Sequence, residues 1–166
     1  MWFPSSATAA TILAAGTLAH ARLSKIGIPQ TIKPGDVFNA TVQQLAGSPL
    51  QYTMIFGVER YDNEWSEVPH PGSLGPVLLA TVDLQQTVGN GTSSENSTIP
   101  GLRVPEDFAP GPAAIQAVVL GVAGPLNTPL LETWWWGVNI TNATSERRNW
   151  ASYEDDNSRV CQIPLN

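Results

Sequence analysis

This chain of 166 residues is poorest in cysteine, histidine and positive charge: it has one cysteine, two histidines and eight Lys and Arg residues. A lone Cys161 rules out an internal disulfide, so stability has to come from a buried core. A thiol so near the C-terminus could still pair between chains. Two histidines, His20 and His70, leave little material for Ser-His-Asp chemistry, and no G-x-S-x-G turn accompanies either of them. The 14 acidic residues outnumber the basic ones, and all the charge lies after Ala21, for a net of -6. That balance argues against nucleic acid and anionic membrane surfaces, both of which call for clustered Lys and Arg. With 42% hydrophobic and 13% charged residues, the chain suits a single domain with a real core.

Charge is also missing from the first 19 residues, MWFPSSATAATILAAGTLA. This apolar stretch ends in small residues and is too short to span a bilayer, so it reads as a secretory signal peptide, although it lacks early Lys or Arg and contains Pro4. Cleavage is expected after Ala19 or after Ala21. The first cut would leave His20 as an N-terminal residue, whose amine and ring nitrogens could join His70 around Cu(II). The second follows the A-x-A pattern Ala19-His20-Ala21 and discards His20 with the leader.

Five N-x-S/T sequons, at Asn39, Asn90, Asn96, Asn139 and Asn142, agree with export, because such acceptors are modified on the surface of secreted proteins. Three occupied sites are expected rather than five.

Fourteen Pro and 14 Gly punctuate the chain and leave no room for a long helix. The segments between them read as strands: Arg22–Ile28, Val37–Gln44, Gln51–Val58, Val77–Leu84, Ile99–Val104, Ala113–Val122 and Thr133–Thr141. About seven strands at this spacing predict an all-β, immunoglobulin-like sandwich spanning residues 22–144. Alternation assigns inward rows: Phe38, Ala40 and Val42; Tyr52, Met54, Phe56 and Val58; Leu78, Ala80, Val82 and Leu84. Ala113–Val122 is apolar on both faces except for Gln116, as a central strand should be. In the triple tryptophan, Trp134 and Trp136 are expected to face the core and Trp135 the solvent. Asn139 and Asn142 are three apart, so either the strand ends near Thr141 or one of them escapes modification. Residues 145–166 are polar and charged, and read as a disordered tail outside the core.

Candidate chemistry is thin. Glu59, Asp62, Glu64 and Glu67 cluster between two strands, but in a polar loop with no aromatic subsite row beside it. An exposed Trp135 would be a lone platform for a sugar ring.

The ordered stretches "ARLSKIGIPQTIKPGDVFNATV", "HPGSLGPVLL", "VPEDFAPGPAAIQAVVLGVAG" and "WGVNIT" together resemble the necrosis-inducing secreted protein family of fungal effectors, over roughly Ala21 to Thr141. The resemblance implies a small secreted protein of plant-associated fungi with no enzymatic activity. It implies binding to the host's immune-receptor-associated kinases, suppression of pattern-triggered immunity and, for some members, leaf cell death. His70, the acidic Glu59–Glu67 stretch and the charged tail depart from the family pattern. The segment Pro71, Gly72, Ser73, Leu74 and Gly75 is the candidate partner contact, since Pro and Gly set a defined turn that offers Leu74; the alternative is that Leu74 simply plugs the end of the sandwich.

The expectation is therefore a monomeric, non-enzymatic secreted effector, needing no cofactor or metal and reaching the host cytoplasm after export. The alternative is a copper- or glycan-binding protein of the cell wall.

Overall fold

The computed structural model describes residues 21–46, 50–60, 73–88, 96–153 and 158–162. In chain order they form β1 (Ala21–Pro29), β2 (Thr31–Ile32), β3 (Val37–Ala46), β4 (Leu50–Arg60), β5 (Val77–Asp83), α1 (Leu84–Thr87), β6 (Ser97–Arg103), β7 (Gly111–Ala123), β8 (Thr128–Ile140), β9 (Arg148–Ser152) and β10 (Ser158–Gln162). One sheet has the order β6-β3-β1-β9 and the other β10-β8-β7-β4-β5, with β2 running parallel to β8. All seven predicted strands are present, three in the first sheet and four in the second, and the molecule is an all-β two-sheet sandwich. Among the described residues no helix is long and apolar enough to cross a membrane.

The spine is the β7–β8 hairpin, paired without a break from Gly111–Ile140 to Ala123–Thr128. Gly124 and Asn127 take positive φ at its turn, and the Asn127 amide donates to the Gly124 carbonyl. β7 lies between β4 and β8, and every residue from Ala113 to Val119 is buried, as its two-sided apolar sequence requires. The lone turn of α1 begins where the Asp83 carboxylate accepts the amides of Gln85 and Gln86, satisfying donors that a helix start leaves open.

Inward rows from both sheets fill the core: Ile26, Ile28, Phe38, Ala40 and Val42 oppose Met54, Phe56, Val58, Ile115 and Ala117. Trp134 and Trp136 stack 6.5 Å apart at 9°, and Phe56 lies 6.5 Å beyond Trp136. Each such pair is worth about 1 kcal/mol beyond its buried area. The Trp136 indole donates to the Ile26 carbonyl at 3.0 Å, so its polar end is satisfied inside the core and pins one sheet to the other.

Four expectations of orientation or order are corrected. Tyr52 is exposed, not inward, because β4 bulges between Gln51 and Thr53 and turns Gln51 inside in its place. A second bulge, between Phe56 and Gly57 against β5, turns Leu78 outward to 62% exposure. One added residue flips alternation beyond it. Trp135 points away from the core as predicted, yet is only 5% exposed. The segment 145–166, expected to be a disordered tail, supplies β9 against β1 and β10 against β8, with Ala151 fully buried. Edge strands need few apolar residues, since most of their side chains meet water.

Candidate functional site

The described part of the predicted contact segment, Ser73–Gly75, crosses the outward face of β4. Register places Leu78, Gly57, Gln116 and Trp135 in one row across that face. Gly57 leaves the gap that the segment fills: a Cβ there would lie 1.9 Å from the Leu74 carbonyl oxygen. Gly75 fixes the path with φ +72, and a Cβ on it would meet the Val58 carbonyl at 2.8 Å, so both strain and space require glycine. The Ser73 hydroxyl accepts the Gly75 amide at 3.1 Å. Leu74 is half-buried, whereas Pro76 and Leu78 are exposed beside edge strand β5. An ordered apolar rim therefore follows the sheet edge. Pro71, Gly72 and His70 lie outside the described residues.

A second feature, absent from the sequence reading, is a buried polar clasp at one end of the sandwich. The Leu23 amide lies beside the bulge between Leu23 and Lys25 in the β1–β3 pairing. Gln51 Oε1 receives that amide at 2.8 Å, and Gln51 Nε2 donates to the Glu132 carboxylate at 2.7 Å. Glu132 is 1% exposed, and burial pushes its carboxyl above the ordinary carboxylate range against the pull of Arg22 and of the Gln51 hydrogen bond. The Trp134 indole N–H faces the carboxylate without reaching good hydrogen-bond geometry. Arg22 spreads its guanidinium over the Tyr153 ring, 2.9 Å from the centroid. The signal for this clasp was the acidic residue inside the apolar run LLETWWW, which cannot be buried without partners.

The other predicted residues are scattered. Asn39, Asn96, Asn139 and Asn142 are exposed, while Asn90 lies outside the described residues. β8 ends at Ile140, so Asn139 and Asn142 do not share a continuous strand and both side chains reach solvent. Glu59 accepts a hydrogen bond from Gln116; Asp62, Glu64 and Glu67, like His20, fall outside the description. Among the described residues no group of three or more His, Cys, Asp or Glu could hold a metal ion. Among the described residues the exposed tryptophan is Trp150, at 41%, on the opposite side of the molecule from Trp135.

Comparison with known proteins adds three findings. A sequence model of the Nis1 family matches residues 19–141. The chain is 31% identical to Necrosis-inducing secreted protein 1 of Colletotrichum orbiculare over 165 residues, covering 97% of this chain and 95% of that one. Among solved structures, native alpha-2-macroglobulin from Escherichia coli, spanning domain MG7 to the C-terminus, overlaps 75% of this chain and 17% of its own at 16% identity, with a TM-score of 0.35. On the first two findings, the chain belongs to the Nis1 family.

Proposed function

We propose that this protein is a secreted fungal effector that acts by binding a host protein and can induce necrosis. The observation that carries the reading is the near full-length relation to a necrosis-inducing secreted protein of a fungus. An apolar N-terminal segment with an A-x-A site and five sequons support export. The protein works without an enzymatic step: its partners are receptor-associated kinases of the host, as the family resemblance implies, and the outcome is suppressed pattern-triggered immunity. Binding kinase cytoplasmic domains requires passage into the host cell after secretion. The protein acts as a monomer.

The contact surface is the Ser73–Gly75 strap together with exposed Leu78, continuing into Pro71 and Gly72. Support comes from its ordered path over Gly57 and from the apolar rim it leaves at a sheet edge, since a pre-organised apolar segment binds with little ordering cost.

The test is a pull-down of host receptor-kinase cytoplasmic domains, paired with leaf infiltration. Leu78→Ser is expected to weaken capture about tenfold, the effect of about 1.4 kcal/mol, and to reduce suppression of the immune response in the leaf. Capture of no kinase above a scrambled control would sink the kinase reading; capture unchanged by Leu78→Ser would move the contact elsewhere. Sequencing the N-terminus of the exported protein separates this reading from a copper-binding one. A chain starting at Arg22 has lost His20.

A further inference from the structure

The outward face of the four-stranded sheet holds an aromatic platform without an assigned role. Register places Trp150, Gly27, Thr41 and Thr98 in one row across it. A Cβ on Gly27 would lie 3.0, 3.0 and 3.1 Å from three adjoining atoms of the indole six-membered ring, Cδ2, Cε3 and Cε2. A point equidistant from three such atoms at that range cannot lie in the ring plane. The indole therefore lies flat on the Gly27 backbone, one face against the sheet and the other toward solvent, with 41% of the residue exposed. Tryptophan is highly buried on average, and here one apolar face is left to water.

The sequon Asn39-Ala-Thr41 shares this face. Phe38 and Ala40 point into the core, so Asn39 and Thr41 point out, and Asn39 is exposed. Asn39 and Trp150 stand about 12 Å apart, from strand spacings of about 4.8 Å and a rise of about 3.4 Å per residue. Arg148 bridges that gap: its Nη1 donates to the Gly27 carbonyl at 3.2 Å and to the Asn39 carbonyl at 2.8 Å. β9, which carries the tryptophan, is thus tied directly to the backbone of the glycan acceptor.

We infer that Asn39 carries an N-linked glycan whose first N-acetylglucosamine residues fold back across Arg148 and stack on the open face of Trp150. The apolar C–H face of a pyranose fits a flat indole, and the guanidinium beside it offers N–H donors to the acetamide and hydroxyl groups. The glycan is then part of the fold: it covers the indole and fastens β9 to the sheet. This inference concerns the carbohydrate of the exported protein and stands whether or not a kinase is the partner.

The experiment uses protein secreted from a eukaryotic host. Peptide mass spectrometry is expected to find Asn39 occupied; an unmodified Asn39 overturns the inference. In NMR spectra, after endoglycosidase trimming to one sugar per site, the Asn39-linked N-acetylglucosamine protons are expected upfield of those at Asn142, shifted by the indole ring current. Coincident shifts overturn the stacking. Thr41→Ala, which removes the sequon and keeps Asn39, is expected to lower Tm by about 3 °C relative to Thr41→Ser. In a Trp150→Leu background the same comparison is expected to show no difference, and an equal loss in both backgrounds overturns the role of the platform.

Discussion

The two outer faces of the sandwich are built on the same device and use it differently. Each has a glycine at the centre of a cross-sheet row, Gly57 on the six-stranded sheet and Gly27 on the four-stranded one. Over Gly57 lies main chain, the Leu74 carbonyl; over Gly27 lies a side chain, the Trp150 ring. The first face is closed over its central residues: Ala114, Gln116, Thr133 and Trp135 are all at or below 5% exposure although they belong to no core row, while Tyr52, Leu78 and Leu120 on the same face stay exposed around them. The second is open, exposing Val37, Leu45 and Trp150. A backbone crossing cannot yield to a new atom, whereas a ring can tilt. Rigidity therefore resides on the closed face and adaptability on the open one.

Gly57→Ala tests the rigid side most severely. A methyl placed 1.9 Å from a carbonyl oxygen forces the strap off the sheet, with an expected loss of about 3 kcal/mol in urea unfolding. Leu74 and the tightly packed outward row should then gain protease and solvent access. A fully stable Gly57→Ala protein would show that the strap does not close this face.

Gln51→Leu tests what joins the two sheets. Removing the amide takes away the hydrogen-bond partner shared by the Leu23 N–H and the Glu132 carboxylate, an expected loss of about 2 kcal/mol. Because the clasp spans both sheets, hydrogen exchange should rise in β1 and β8 together, unlike the one-sided effect of Gly57→Ala.

The same clasp has a pH signature. Burial raises the Glu132 carboxyl above its ordinary value, so over that interval the folded state binds more protons than the unfolded chain. Its contribution is fully present below about pH 4.3, the ordinary glutamate value, and is lost as pH rises through the raised one. Wild-type stability measured against Glu132→Gln should therefore decline from acid toward neutral pH. A flat difference would mean that Glu132 is not held in the dry clasp.

How much of this was legible beforehand follows from where the alternation rule holds. Phe38, Ala40, Val42, Met54, Phe56 and Val58 were placed inside by period two and are there. Tyr52 and Leu78 failed because each lies at a bulge, which leaves no mark in composition. Trp135 and Trp150 show a second blind spot: alternation tells which side of a sheet a residue faces, not whether that side is covered. β9 and β10 escaped notice because strands at a sheet edge can stay polar. The strap was singled out for its Pro and Gly; its described part, Ser73–Gly75, lies over β4, and Pro71 and Gly72 fall outside the described residues. That Gly57 receives it could not be seen, since the two meet only through the β4–β5 register.

Gly27→Ala is the mildest change and the most informative about the open face. The added methyl would meet the indole at 3.0 Å, closer than packed carbons allow, so the ring must lift by a few tenths of an ångström. Replacing glycine within a strand also restricts the unfolded chain, a gain that offsets most of the repulsion. The net loss should be only about 0.5 kcal/mol, against about 3 kcal/mol at Gly57. Tryptophan emission should nonetheless shift as Trp150 leaves its seat, and the ring-current shift of the Asn39-linked sugar should shrink with it. If Gly27→Ala cost as much as Gly57→Ala, the ring would be as fixed as main chain. The contrast between a closed, rigid face and an open, adaptable one would then fail.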